Sequence, residues 1–228
     1  LFKKVVIADQ AALLASPFFE LAGSSSQIGL VPAWIGALAY TVQLYFDFSG
    51  YSDMAIGIAR MFGIRLPINF YSPYKATSIA DFWRRWHITL SHFLRDYLYI
   101  PLGGSRKGHW RTNANLLITM LLGGLWHGAG WTFVFWGGLH GSYLVIHRQW
   151  GYLLKDRDDN NWIFQKVYGL ITFISVVVAW VFFRAETMGA AFSMVKGMAG
   201  SNGLGVENIA TYLTATECLL VFLIPAAI

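Results

Sequence analysis

The chain has 228 residues, of which 56% are hydrophobic and only 13% are charged, and its mean hydropathy is +0.48. Soluble domains usually carry about 25% charged residues, so this composition excludes an ordinary soluble domain and indicates an integral membrane protein. The net charge of +5 is typical of basic loops beside membrane spans rather than of a nucleic-acid-binding surface, because the Lys and Arg residues cluster in short segments between apolar stretches. The one cysteine, Cys218, excludes an internal disulfide and is expected to be a small buried hydrophobe.

The N-terminal part of the chain predicts a basic helix, a loop and a membrane span. Residues 1–14 pair Lys3 and Lys4 with an apolar stripe, which favours a helix at a basic membrane face. Residues 16–27 are polar and contain Pro and Gly, which predicts a loop. Residues 28–46 are long enough to cross the hydrocarbon layer, which is about 30 Å thick.

Two carboxylates, Asp47 and Asp53, follow at or inside the end of that span, and apolar residues resume after them. Each costs roughly 2.5–3.5 kcal/mol on insertion scales unless it is paired. Arg60, Arg65 or a hydroxyl group are the expected partners. Helix-end capping beside Gly50 and a direct part in function both remain open, and we favour a structural role.

The segment after residue 65 predicts a polar loop and then a helix too charged to face lipid. Residues 65–78 hold two prolines, an asparagine and several hydroxyl groups, which is typical of a loop or a re-entrant segment. Ser78 and Asp81 form a variant of the capping box at the start of the next helix. On a helical wheel one polar stripe runs along this helix and consists of Arg84, His87, Ser91 and Arg95. The helix is therefore expected to lie in the interface or to line a polar cavity.

A basic loop and two further spans are expected next. Residues 100–113 carry a basic cluster that includes Arg106 and Lys107, and the positive-inside rule places this loop in the cytoplasm. Residues 114–126 are expected to enter the membrane, and residues 131–146 to return through it.

The C-terminal part predicts a charged loop at 155–161, a span at 162–183, a loop with weak helical content at 189–207 and the start of another span at 212–228. The chain begins without Met and ends inside an apolar run, so both ends look cut. We expect an internal portion of a longer polytopic protein, in which residues 1–228 form a single membrane core.

His127 is the one ionisable residue in the apolar, glycine-rich stretch 121–136. An imidazole at bilayer depth is tolerated only if it finds partners or lines a cavity, so His127 is a functional candidate. The nearby glycines allow another helix or a substrate to approach the backbone closely, and Trp126 and Trp131 flank His127. These glycines are Gly123, Gly124, Gly128 and Gly130. A packing histidine bonded to a neighbouring carbonyl group is the alternative, and this stretch alone leaves both open.

Metal binding and serine-hydrolase chemistry fit the sequence poorly. No pair among the six histidines has HxxxH or HxxHH spacing, and His140 and His147 lie two helical turns apart, too far to grip one ion. No GxSxG nucleophile elbow occurs. We therefore expect no metal site.

Acyl transfer with a histidine as general base fits better. A neutral imidazole can take the proton of a hydroxyl group that attacks a thioester carbonyl, which contributes roughly 10²–10⁴-fold to the rate. His127 is the candidate base, and His87 is expected to orient the acceptor or the acyl carbonyl group, or to donate to the developing oxyanion. Four cations are candidates to meet the phosphates of a donor carrier, although membrane-edge anchoring explains each one taken singly: Arg84, Arg85, Arg106 and Lys107.

Five stretches of the sequence also carry a resemblance. They are residues 43–57 (QLYFDFSGYSDMAIG), 69–74 (NFYSPY), 82–91 (FWRRWHITLS), 99–104 (YIPLGG) and 124–131 (GLWHGAGW). Together they resemble the membrane-bound O-acyltransferase family, and within it the alginate O-acetyltransferase branch. The match covers nearly the whole chain in order, and the combination of FWRRWH and LWHGAGW is more specific than either stretch alone.

The resemblance implies an all-α, polytopic membrane bundle whose helices surround a tunnel, with re-entrant or interfacial helices. The catalytic histidine of the family matches His127, and its second polar catalytic position, often His or Asn, matches His87. The residues we expect to contact substrate or donor are Arg84, Arg85, Asn69, Trp126 and Ser91.

In this family the acyl group arrives from a cytoplasmic thioester and leaves on an acceptor at the opposite membrane face. For the alginate-like branch the resemblance implies acetyl-CoA or an acetyl carrier as donor substrate, without a bound cofactor. It implies transfer through periplasmic or cell-surface partner proteins to a polysaccharide. The protein is then expected in the bacterial inner membrane, as a multi-pass protein surrounded by lipid bilayer and without a nucleic-acid partner.

Other functions remain open beside this one. Within the family, the alternatives are peptidoglycan O-acetylation and D-alanyl transfer to teichoic acid, and the IPLGGSRKG loop resembles the acetyl branch more than the D-alanyl branch. From other classes, a polysaccharide export channel predicts inverted repeats, which we do not find in the sequence. A non-catalytic scaffold predicts that substitutions at His127 and His87 are tolerated.

Overall fold

The computed structural model describes residues 1–24, 27–153 and 162–206. These residues form eight α-helices and no β-strand, which confirms the all-α class for this part of the chain. The expected charged loop at 155–161, the expected span at 212–228 and Cys218 lie outside the described residues.

The helices follow one another along the chain. They are α1 (Asp9–Gly23), α2 (Leu30–Met61), α3 (Ile79–Arg85), α4 (Ile88–Leu94), α5 (His109–His127), α6 (Trp131–Leu153), α7 (Trp162–Arg184) and α8 (Met188–Met198). Three shorter helical segments are Phe2–Ala8 and Arg95–Tyr99, both π-helical, and the 3₁₀ turn Pro73–Lys75. The chain divides into two compact units: Leu1–Pro67 with the described residues from Trp180 onward, and Ile68–Ala179.

In the first unit, α1, α2 and α8 meet at Gly36. A Cβ atom at Gly36 would lie 2.7 Å from the Cβ atom of Phe18 in α1 and 2.9 Å from the Cε atom of Met194 in α8. Phe18 and Met194 are both fully buried. The three helices therefore pack closely at a point where α2 lacks a side chain.

The segment after α8 holds the start of α2. The main-chain N–H of Leu30 donates to the carbonyl group of Gly203 at 2.9 Å, and the indole N–H of Trp34 donates to the carbonyl group of Met198 at 3.0 Å. These bonds satisfy backbone groups at the N-terminus of one helix and the C-terminus of the other. The first half of the expected loop 189–207 is accordingly a regular helix, α8, whose end is tied to α2.

The prediction of a loop at residues 16–27 is wrong for most of that range, because α1 extends as far as Gly23. Pro17 lies inside this helix. Its neighbours Phe18 and Phe19 are both buried. Burial of two aromatic side chains outweighs the tendency of Pro to break a helix.

α2 continues through the acidic segment, so Asp47 and Asp53 lie in the interior of a helix and the capping interpretation is wrong. Lys4 forms an ion pair with Asp47, and Lys3 forms one with Asp53 at 2.8 Å. The N-terminal segment reaches these carboxylates because it packs against α2 at Gly50, where a Cβ atom would lie 3.1 Å from the Cβ atom of Lys3. The partners are therefore not those expected from the sequence, which were Arg60, Arg65 or a hydroxyl group.

The long helix expected after residue 78 begins as predicted but breaks at His87. The hydroxyl group of Ser78 accepts the main-chain N–H of Asp81 at 3.1 Å, which confirms the helix cap. α3 ends at Arg85, His87 has φ 43° and ψ 56° in the left-handed region, and α4 begins at Ile88. The expected stripe of Arg84, His87, Ser91 and Arg95 is therefore not one face of one helix.

In the second unit, α5 and α6 form a close antiparallel pair. A Cβ atom at Gly124 would overlap the carbonyl oxygen of Phe133, and one at Gly137 would overlap the carbonyl oxygen of Met120. Small residues of this kind let two apolar helices approach backbone to backbone. α5 also begins at His109, inside the loop expected at 100–113.

Two helical segments of the described chain are long and apolar enough to cross a membrane, Phe2–Gly23 and Trp162–Arg184. The second matches the span expected at 162–183, whereas the first was expected to be a basic helix followed by a loop. The other expected spans fall in α2, α5 and α6, which are long helices of lower hydropathy than these two segments.

Candidate active site

His87 and His127 lie far apart in the sequence but belong to the same compact unit, Ile68–Ala179. Both imidazoles are half-buried. The fold thus places in one compact unit the two histidines that the sequence singles out.

His127 is the last residue of α5, and two indole rings contact its imidazole. The ring of Trp136 lies edge-on at 5.2 Å and 90°, and that of Trp126 lies at 4.9 Å and 71°. Trp136 is 2% exposed, whereas Trp126 is 66% exposed. The buried indole of Trp136 therefore restricts the orientation of His127 from the protein side, whereas the indole of Trp126 is largely exposed to the surroundings.

Protein atoms fill the space beside two of the glycines around His127. A Cβ atom at Gly128 would lie 2.6 Å from the ring of Phe133, and one at Gly124 would overlap the carbonyl oxygen of the same residue. Of the two interpretations of these glycines, close approach of another helix is the one that the structure shows at Gly124. A Cβ atom at Gly130 would make only ordinary contacts.

Asn69 holds the helix break at His87. Its side-chain oxygen lies 3.2 Å from Nδ1 of His87, accepts the main-chain N–H of Thr89 at 3.2 Å and accepts the Thr89 hydroxyl group at 3.0 Å. Its main-chain carbonyl group accepts the N–H of Ile88 at 3.0 Å. These bonds replace the helical hydrogen bonds that the break would otherwise leave unmade.

Trp86, the residue before His87, anchors the break in an aromatic cluster. Its side chain is 4% exposed. Its ring packs edge-on against Phe70 at 5.1 Å and stacks on Phe82 at 5.7 Å. The buried indole on one side and the Asn69 contacts on the other together support the left-handed conformation of His87, which a residue with a side chain adopts only at a cost.

His87 is neutral near pH 7. It lies between two short helices and outside every expected span. Burial lowers the pKa of His87 to about 4, and the charge of His127 acts in the same direction. A neutral imidazole has one N–H group and one nitrogen lone pair, so its partners decide which nitrogen carries the proton.

Arg85 and Ser91, two of the residues expected to contact substrate, have partners within the protein. The guanidinium Nε of Arg85 donates to Asp81 at 2.9 Å, and the same group lies over the ring of Tyr71 at 5.5 Å. The hydroxyl group of Ser91 donates to the carbonyl oxygen of Trp86 at 3.3 Å. Arg84 is exposed. A substrate contact by any of the three stays a prediction.

The sequence analysis did not assign to the site a buried histidine, His140, that lies behind His127. His140 is fully buried, and its Nδ1 accepts the indole N–H of Trp83 at 3.3 Å. Trp136 contacts His127 and also packs against His140, at 4.9 Å. The available signal is the spacing of Trp136 and His140, four residues apart on α6, which puts them on one helix face.

The basic loop before α5 borders a surface cavity of ≈ 470 Å³. Its lining includes Lys107, His109, Trp110 and Arg111. Lys107 and Arg111 are exposed. Two cations beside the N-terminus of a long helix favour an anionic group in this cavity.

Comparison with known proteins places these features in a family. The model of the membrane-bound O-acyltransferase family matches residues 15–192. A peptidoglycan O-acetyltransferase of Helicobacter pylori is 53% identical over 210 residues, which are 92% of this chain and 39% of that protein. A probable alginate O-acetylase of Pseudomonas putida is 54% identical over 196 residues, which are 86% of this chain and 39% of that protein.

A teichoic acid D-alanyltransferase of Streptococcus thermophilus is more distant, at 30% identity in an alignment of 203 positions that covers 80% of this chain and 48% of that protein. The chain spans about two fifths of the length of the two acetyl-transferring relatives. The higher identity to those relatives confirms the resemblance to the acetyl branch. The family match over residues 15–192 includes both His87 and His127. The chain belongs to the membrane-bound O-acyltransferase family.

Proposed function

We propose that this chain, residues 1–228, is the catalytic core of a membrane O-acyltransferase. It moves an acetyl group from a cytoplasmic thioester to hydroxyl groups of a secreted or cell-wall polysaccharide. The observation that carries the proposal is that His87 and His127, two half-buried imidazoles, lie in one compact unit of a chain of this family.

In the proposed reaction His127 is the general base. It takes the proton of an acceptor hydroxyl group while the hydroxyl oxygen attacks the thioester carbonyl carbon. A C–O bond forms, the C–S bond breaks, and the proton passes from His127 to the departing sulfur, which leaves as a thiol. His127 is then neutral again. The edge-on contact with Trp136 supports this role because it restricts the orientation of the ring.

The donor in this proposal is acetyl-CoA or an acetylated carrier, which is a substrate and not a bound cofactor. The cations at the cavity before α5, Lys107 and Arg111, meet its phosphate groups. Helices of the complete protein surround a tunnel through the bacterial inner membrane, and the acetyl group leaves through periplasmic or cell-surface partner proteins. The expected contacts of Arg84, Trp126 and Ser91 with substrate belong to the same proposal.

Two acceptors are supported by the similarity to relatives. One relative is a probable alginate O-acetylase and another is a peptidoglycan O-acetyltransferase, at 54% and 53% identity. An alginate-like polysaccharide is the first candidate and peptidoglycan is the second. D-alanyl transfer is less favoured, because the relative with that name is 30% identical.

The experiment is transfer of radiolabelled acetyl from acetyl-CoA in membranes that contain the full-length protein and its partner proteins. Wild type is compared with His127→Ala and His87→Ala at matched protein levels, and His92→Ala, at an exposed histidine, is the control. Transfer is expected to be lost in His127→Ala, strongly reduced in His87→Ala and unchanged in His92→Ala. Undiminished transfer in His127→Ala would contradict the proposal and favour an export channel or a scaffold.

The acceptor is identified in the same membranes. Labelled acetyl esters are released by mild alkali from separated exopolysaccharide and peptidoglycan fractions. Label in the exopolysaccharide supports the first candidate, and label in the peptidoglycan supports the second.

A further inference from the structure

The orientation of the Asn69 side chain is determined by the main chain. The main-chain N–H of Thr89 points at the side-chain atom of Asn69 that lies 3.2 Å away. A main-chain N–H only donates, so this atom is the amide oxygen and not the NH₂ group. The hydroxyl group of Thr89 donates to the same oxygen at 3.0 Å. The amide group therefore has one orientation that satisfies its neighbours.

This orientation determines the tautomer of His87. The Nδ1 atom of His87 lies 3.2 Å from the same amide oxygen. An amide oxygen only accepts, so Nδ1 must carry the hydrogen atom, and two facing lone pairs would repel each other at this distance. The hydroxyl oxygen of Thr89, 3.4 Å from Nδ1, is a second acceptor for the same N–H. In the neutral ring the lone pair is then on Nε2.

We infer that Asn69 is a positioning residue that holds His87 in the tautomer protonated on Nδ1, so that Nε2 accepts a hydrogen bond from the bound acceptor. The inference rests on the proposed function. It selects one of the three roles expected for His87, because a neutral ring with its N–H turned to Asn69 has no hydrogen atom on Nε2 to donate to an oxyanion. It also gives Asn69 a role other than the direct substrate contact expected from the sequence.

The two histidines then serve different hydroxyl groups. Where the polysaccharide itself is the acceptor, each sugar unit carries several hydroxyl groups, so the reacting one gives its proton to His127 while a neighbouring one donates to Nε2 of His87. In the described part of the chain, His127 is the titratable group on another helix whose charge lowers the pKa of His87. Because both rings accept, the pair recognises a polyol better than an acceptor with a single hydroxyl group.

The tautomer is tested without reference to activity. Solid-state NMR is recorded on the full-length protein with ¹⁵N-labelled histidine in lipid bilayers, and the His87 signals are identified as those lost in His87→Ala. We expect a protonated Nδ1 and an unprotonated Nε2 in the wild type, and a mixture of tautomers in Asn69→Leu. A wild-type His87 protonated on Nε2 would overturn the inference.

Kinetics test whether the tautomer matters for transfer. Asn69→Leu is expected to lower kcat/KM for the sugar acceptor by about tenfold or more, with the KM for acetyl-CoA unchanged. Asn69→Asp keeps an oxygen atom that accepts from Nδ1 of His87 and from the main-chain N–H of Thr89, so it should retain more acetyl transfer than Asn69→Leu. Its carboxylate favours the charged imidazole and raises the pKa of His87, so the acid limb of its pH profile moves to higher pH.

Asn113→Leu is the matched control, because Asn113 is buried and its side-chain oxygen has no hydrogen-bond partner within the described chain. It should transfer acetyl like the wild type. If transfer needs His127 but Asn69→Leu has wild-type kinetics, the inference fails and the proposed function stands. If the wild type transfers no acetyl, the proposed function fails, and the NMR result still confirms or overturns the tautomer.

Discussion

The imidazole of His127 stands perpendicular to the indole of Trp136, with the ring centroids 5.2 Å apart. The same indole packs against His140, which is fully buried and accepts the indole N–H of Trp83 at 3.3 Å. The half-buried histidine at the end of α5 is therefore supported by a buried side chain of α6. In the proposed reaction this contact sets the angle at which the base meets the acceptor hydroxyl group.

Trp136→Ala is expected to reduce acetyl transfer strongly even in the fraction of protein that stays folded. Loss of this buried side chain lowers the free energy of unfolding by about 3–5 kcal/mol, and it also frees the ring of His127. Trp136→Phe keeps an aromatic ring and should retain more transfer. The measurement is transfer per folded molecule, with Trp162→Ala, at a 69% exposed position, as control. Equal rates for Trp136→Ala and Trp162→Ala would contradict the positioning role.

His87→Asn is expected to keep the fold and, because its side-chain oxygen can also accept a hydrogen bond, to retain more transfer activity than His87→Val. His87 has φ 43°, and Asn tolerates this left-handed conformation better than other residues with side chains. A β-branched residue in the same place adds strain of roughly 1–3 kcal/mol, so His87→Val should be both inactive and less stable. Thermal unfolding and acetyl transfer measured on all three proteins check this. A His87→Asn protein as unstable as His87→Val would show that the backbone conformation is not what limits this position.

Gly124→Ala is expected to disturb the packing of α5 against α6. The added Cβ atom would overlap the carbonyl oxygen of Phe133, which belongs to the backbone and cannot move aside as a side chain can. Overpacking of this kind costs about 1–3 kcal/mol. Gly138→Ala is the matched control, because its Cβ atom would meet only the side chain of Leu121, at 3.5 Å. Unfolding temperatures of both variants are compared, and a Gly124→Ala protein as stable as Gly138→Ala would contradict the prediction.

Removing the charges of Lys107 and Arg111 is expected to raise the KM for acetyl-CoA several-fold while kcat stays nearly constant. Both side chains line the cavity before α5, and they are proposed to meet the donor phosphates. The difference from the wild type should shrink at high salt, because exposed charges are screened. The double variant Lys107→Gln, Arg111→Gln is compared with Lys75→Gln, another exposed cation of the same unit. An unchanged KM at low salt would remove the cavity from the proposed donor site.

Several features of the fold follow from local sequence because neighbouring residues determine them. The apolar run at 162–183 is long enough to specify α7 almost residue by residue. Ser78 starts α3 because its hydroxyl group reaches the third N–H along the chain. The two histidines of the site could also be identified from the sequence. His127 lies in an apolar stretch where an imidazole is costly unless it has a function or a partner, and both histidines lie in motifs of a known family.

The tertiary structure decided the features that depend on partners distant in sequence. No Gly or Pro in the sequence indicates the break at His87. The break arises because Asn69, eighteen residues earlier, supplies hydrogen bonds in place of those that the helix loses. Asp47 pairs with Lys4 because the N-terminal segment packs along α2. Trp136 becomes the support of His127 only when α6 folds back on α5. Local sequence determines where helices form, but hydrogen-bond partners and ring contacts are chosen by packing, which brings together residues that no short stretch contains.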